Sequence, residues 1–132
     1  MGDSYADPRF GVPKQSMMAS KATINSATVR VGQWTAPRDE KGSTANAKVL
    51  RVGCIINTAG TSTGSNSLLQ VFNATTSIGV LTIDSATVDT VVYSGALNAT
   101  ISSGVLLNVR NSGSDAVAVI TPFVEYVEQF KA

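Results

Sequence analysis

The stretch SGALNATISSGVLLNVRNSGSDAVAVITPFVEYV, Ser94 to Val127, decides the fold. Apolar side chains recur at every second position, at Leu97, Ala99 and Ile101 and again at Val105, Leu107 and Val109, and a longer, largely apolar strand follows from Ala116 to Val127. Such alternation turns one face of an extended chain to a core and the other to solvent, the period of a β-strand and not of a helix. Ser94-Gly95, Ser102-Ser103-Gly104 and Asn111-Ser112-Gly113-Ser114-Asp115 interrupt it with residues that let a chain reverse. Pro122 lacks a backbone donor, which predicts an edge strand or a bulge at that point.

Working outward, Ala47 to Asn57 (AKVLRVGCIIN) alternates in the same way, with Leu50, Val52, Cys54 and Ile56 facing one side. Leu68 to Asn73, Ile78 to Ile83 and Val88 to Tyr93 read as three further strands with Ser, Thr, Asn and Gly between them. Ala22 to Val31 is the first strand, with Val29 and Val31 on one face and Trp34 just after it. Thr35 to Asn46 and Thr58 to Asn66 are loops, the former carrying Arg38-Asp39-Glu40-Lys41. About eight strands with turns at short intervals predict an all-β, antiparallel jelly-roll β-sandwich over residues 22–132. The seven-stranded immunoglobulin pattern fits less well, since its paired cysteines are missing. Val52, Ile56, Leu97, Leu107 and Val109 are expected in the core.

Residues 1–21 differ from the rest. They hold Pro8, Pro13, charges of both signs and isolated apolar groups without a period. A segment of that kind buries too little surface to order itself, and is expected to be an extended N-terminal arm.

The chain has 132 residues, a length suited to one domain. Ten cationic side chains nearly cancel nine anionic ones, and the net charge of +1 gives no field to draw nucleic acid or an anionic membrane. Histidine is absent, which removes the commonest general base, the usual metal ligand and every Ser-His or Cys-His pair. A single cysteine, Cys54, allows neither an internal disulfide nor a thiolate cluster. No enzymatic activity, metal or cofactor is expected. Met1 to Phe10 has neither a basic n-region nor an apolar core, and no apolar run is long enough to span a bilayer. The expectation is a soluble protein made in the cytoplasm.

Gly60-Thr61-Ser62-Thr63-Gly64 spells the G-x-S-x-G elbow of hydrolases, but that motif needs a strand-to-helix turn and a histidine partner, and here it reads as a Ser/Thr/Gly loop. Asp84 and Asp89 flank a turn and read as turn formers rather than a carboxylate pair. Trp34 and Tyr93 would suit a sugar-stacking platform, although a lone Trp after a first strand more often plugs a core. Cys54 reads as a small buried hydrophobe. Between Arg51 and Asp84 no residue is charged. A monomer uses surface charge for solubility and to blunt sheet edges, so an uncharged stretch of this length fits either a hydroxyl-rich free surface or one covered in an assembly.

The run from Val91 (VVYSGALNATISSGVLLNVRNSGSDAVAVITPFVEY) and the A-x-V-R-V-G-Q-W segment ending at Trp34 resemble small jelly-roll virion proteins of tailed bacteriophages. The likeness covers residues 22 to 127. It implies a cement or decoration protein, a homotrimer on the outer surface of a phage head, bound to the major capsid protein through its N-terminal arm. Within residues 1–21 the anchors expected from composition are Arg9, Phe10, Val12, Pro13, Lys14, Met17 and Met18. Extended, twenty-one residues reach about 70 Å. The alternative is a receptor- or carbohydrate-binding jelly-roll module of a virion fibre or tail.

Overall fold

The computed structural model describes residues 12–24, 30–36, 45–61, 68–83, 88–102, 104–111 and 117–130. Among them are ten strands and no helix: β1 (Pro13–Met17), β2 (Ala22–Ile24), β3 (Arg30–Thr35), β4 (Ala45–Thr61), β5 (Leu68–Asn73), β6 (Thr76–Thr82), β7 (Val91–Tyr93), β8 (Ala99–Ile101), β9 (Leu106–Asn111) and β10 (Val117–Phe130). The β-branched and hydroxyl-rich composition suits a pleated surface, and all described pairings are antiparallel.

One sheet runs β1–β10–β4–β7, with β2 also on β10 and β8 also on β4; the other runs β3–β9–β5–β6. Because β1 and β2 share one flank of β10, and β7 and β8 share one flank of β4, the ten segments fill eight lanes. Counted along the chain, the lanes lie in the order 1-8-3-6 in one sheet and 2-7-4-5 in the other. Only the β5–β6 hairpin stays within its sheet, and every other link from lane to lane crosses the sandwich. This is the double Greek-key order of a jelly roll, as the strand count predicts.

The core lies between the sheets. Val49, Val52, Cys54, Ile56, Ile101, Ile120 and Val124 enter it from the β10–β4 side, and Val31, Trp34, Leu69, Val71, Leu81, Leu107 and Val109 from the other. Trp34 is in the core as expected, its ring 4.7 Å from that of Tyr126. Leu97 is partly buried against the same cluster.

Several local expectations change: the first strand, expected over Ala22 to Val31, is divided between β2 in one sheet and β3 in the other, and β4 runs on to Thr61, into the expected loop. The inward face of β4 passes from Ala47 and Val49 to Val52, Cys54 and Ile56, so Leu50 does not belong to that row and is only half-buried. The pairing with β10 slips there: Tyr126 opposes Val49 while Glu125 opposes Arg51, leaving Leu50 as the extra residue of a bulge.

Pro122 sits in an interior strand, not at an edge, and the register shifts of β10 fall elsewhere. Its carbonyl accepts from the Met18 amide at 2.9 Å. In an antiparallel strand the N and O of a residue point to the same side, so the donor-less nitrogen also faces that flank. There β1 has ended opposite Phe123 and β2 begins opposite Ile120. The proline occupies the seam between two short strands, where the ladder is already interrupted.

The N-terminal segment is also more integrated than its composition suggests. Pro13 to Met17 pair with Val127 to Phe123 of β10, and Met18 is buried in the core. An edge strand is held by main-chain bonds and needs no apolar period, which is why this one carries no pattern.

Candidate functional site

Side chains of β10 that point away from the core include Thr121, Phe123 and Glu125. Phe123 nonetheless is 2% exposed. The register explains this. Met17, Phe123, Gly53 and Tyr93 stand directly opposite one another on β1, β10, β4 and β7, forming a straight row across the outer face. Gly53 leaves an open floor, and a Cβ there would lie 2.6 Å from Phe123 Cζ and 2.9 Å from Tyr93 Cδ1. The Phe123 ring fills that space and meets Tyr93 edge-on, centroids 5.9 Å apart at 87°.

Beside this row runs a polar one. Arg51 Nε donates to Glu125 Oε2 at 2.6 Å, and Arg51 Nη2 to Glu125 Oε1 at 3.4 Å. Its Cζ lies 3.6 Å from the Tyr93 ring centroid, a cation–π contact. The hydrogen bond to Glu125 raises the guanidinium pKa further above its usual range. On the other side of the aromatic row, Thr121 Oγ1 donates to Asn57 Oδ1 at 2.7 Å.

The expected anchors divide into three groups. Arg9 and Phe10 lie outside the described residues. Pro13 and Met17 (56%) are exposed and extend the outer face to the outermost described strand, and Val12 (47%) is exposed just before it. Lys14 points the other way, its Nζ donating to Glu128 Oε2 at 2.5 Å, and Met18 is in the core. Lys14 and Met18 therefore serve the fold. Phe123, Gly53 and Arg51 were not foreseen, and the sole sequence signal was a glycine inside an apolar strand.

Other candidates separate. Trp34 faces the core while Tyr93 stands on the outer face, so the two form no common platform. Gly60 and Thr61 end β4, and the rest of the G-x-S-x-G run lies outside the described residues. Asp84 is outside them too, while Asp89 is an exposed turn residue with φ 66°. Burial pushes the Cys54 thiol up to about 12, far from a nucleophile's range. Among the described residues no three His, Cys, Asp or Glu side chains gather as for a metal ion. No protein-family model matches the chain, and no curated protein matches it.

Proposed function

We propose that this protein is a structural component of a virion, a decoration protein that binds the major capsid protein on the outer surface of a phage head. The observation that carries this reading is the place of β1. Among the described residues it is the outermost strand of the β10–β4 sheet, with Pro13 and Met17 exposed on it and Val12 exposed just before it. Residues 1–11 thus join the domain at that outermost strand, and eleven residues reach about 40 Å when extended. A partner strand added along β1 gains main-chain bonds, and the exposed apolar groups supply side-chain contacts. A jelly roll alone argues little, since the fold serves capsid and lectin domains alike.

Self-association, most simply as a three-fold ring, is part of the same proposal. Val80, Val88, Val91 and Tyr93 are exposed on or beside β6 and β7, the last lanes of the two sheets, in a part of the chain where Asp84 and Asp89 are the only charges. Exposed apolar groups gathered at sheet edges favour burial against another copy. A glycan-binding role needs an open aromatic platform. Among the described aromatics Tyr93 lies beneath Arg51, Phe72 beneath Arg110, Trp34 against Tyr126, and Phe123 is sealed.

The test is co-sedimentation with capsids. Deletion of residues 1–11 leaves β1 intact and is expected to give a folded, self-associated protein that no longer pellets with capsids. Undiminished pelleting of this variant overturns the anchoring role.

A further inference from the structure

The outer face of the second sheet carries two arginines side by side. Arg30 on β3 and Arg110 on β9 are direct cross-strand partners, and a bulge at Val31 lets Arg30 share its face with Gln33. Like charges placed directly opposite in a sheet repel, so an adjacent carboxylate is the expected remedy. None is present among the described residues of this sheet; the described acids are Asp89, Glu125 and Glu128.

Neutral groups hold the arginines instead. Arg110 Nε donates to Asn108 Oδ1 at 2.6 Å. Asn108 is fully buried, and its Nδ2 donates to the Ala74 carbonyl at 3.3 Å, so the amide is fixed. Arg110 Cζ sits 4.7 Å from the Phe72 ring centroid. Arg30 Nη1 donates to Gln33 Oε1 at 3.0 Å. Both guanidiniums are thereby oriented, and among the described residues no carboxylate is paired with either.

We propose that this face binds carboxylate side chains of a partner protein, with Arg30 and Arg110 as the receiving pair. A planar guanidinium fork matches a carboxylate in bidentate fashion, and pre-orientation lowers the ordering cost of binding. Two cations among neutral amides are too few to track a nucleic-acid backbone, which calls for a row of phosphate contacts. Leu106 and exposed Val80 on the same sheet, with Phe72 and the arginines, match the mixed composition of protein interfaces. The inference stands on this face alone, whether or not the protein decorates a capsid.

The test titrates the full chain, isotope-labelled for NMR, with hexaglutamate, and in parallel with polyphosphate, oligothymidylate and hexaglutamine. Hexaglutamate is expected to shift the amides of Gln33, Gln70, Asn108 and Arg110 in a saturable, salt-sensitive way. R30Q with R110Q should weaken that binding roughly tenfold or more, and K48Q, on the other sheet, should leave it within about twofold. R30Q alone keeps the Phe72 stacking intact and should show an intermediate loss, which guards against a folding defect in the double variant. Absence of binding, binding unchanged in the arginine variants, or stronger shifts with polyphosphate or oligothymidylate overturns the proposal.

Discussion

Phe123 lies directly across the ladder from Gly53, and its ring occupies the volume that a side chain at Gly53 would need. An outward-facing aromatic is sealed because its neighbour has no Cβ. Gly53→Ala is expected to lower stability by about 1–3 kcal/mol, since overpacking outweighs the smaller entropic benefit of alanine. Urea denaturation measures the loss, and the near-UV circular dichroism of Phe123 and Tyr93 should change with it.

Deletion of residues 1–20 should behave unlike deletion of residues 1–11. The longer cut removes β1 and the buried Met18. Loss of the Met18 side chain alone is expected to cost about 2–5 kcal/mol. A melting temperature for the longer deletion equal to that of the shorter one would contradict this.

The ion pairs Lys14–Glu128 and Arg51–Glu125 should differ in worth. Glu128 is nearly buried and Lys14 covers it, with side-chain exposures of 10% and 33%. Lys14→Met leaves that carboxylate without its partner and should destabilise by about 1–3 kcal/mol. Arg51 and Glu125 are more open, at 41% and 24%, and Arg51→Met should alter stability little while freeing the Tyr93 ring. Chemical denaturation of both variants side by side reads the contrast.

Cys54 supplies a pH dependence. Its folded-state pKa, about 12, is above the ordinary value of 9.0, so the folded chain holds this proton where the unfolded chain releases it. The stabilisation is complete below the ordinary value and declines as pH rises from about 9 toward 12. Burial of Tyr126 shifts its phenol in the same direction and adds to the alkaline loss. The melting temperature should therefore fall above about pH 9, and less steeply in Cys54→Ala. Native protein should also resist thiol alkylation at pH 8, with reactivity appearing on unfolding.

What the sequence displays well is whatever repeats. Leu68 to Asn73 is recognisable as a strand, with the same limits in the structure, because a short apolar run rich in large side chains is bounded by small polar turn residues on both sides. Leu107 and Val109 are placed inward by the same logic. The bulge at Leu50 is hidden, because Val49 and Leu50 are both apolar and either one could face the core. Pro122 misleads because its compatibility depends on a seam between two distant strands. Asn108 looks like a solvated residue between Leu107 and Val109, yet Arg110 and the Ala74 turn bury it. Outer-face features depend on cross-strand register, which no single strand carries.

The order of the lanes also has a consequence for how the chain comes together. β10, the last of the described strands in sequence order, is the one that β1, β2 and β4 all require as a partner. Of the described pairings, only the β5–β6 hairpin joins strands close in sequence. β1 and β2 must therefore wait for this partner until the residues of β10 have been made. Loop closure over such separations is slow, and strands with open edges are exposed to wrong partners meanwhile. Completion of the fold should follow synthesis of β10 and be sensitive to synthesis rate and temperature, and truncation within β10 should be more damaging than removal of residues 1–11.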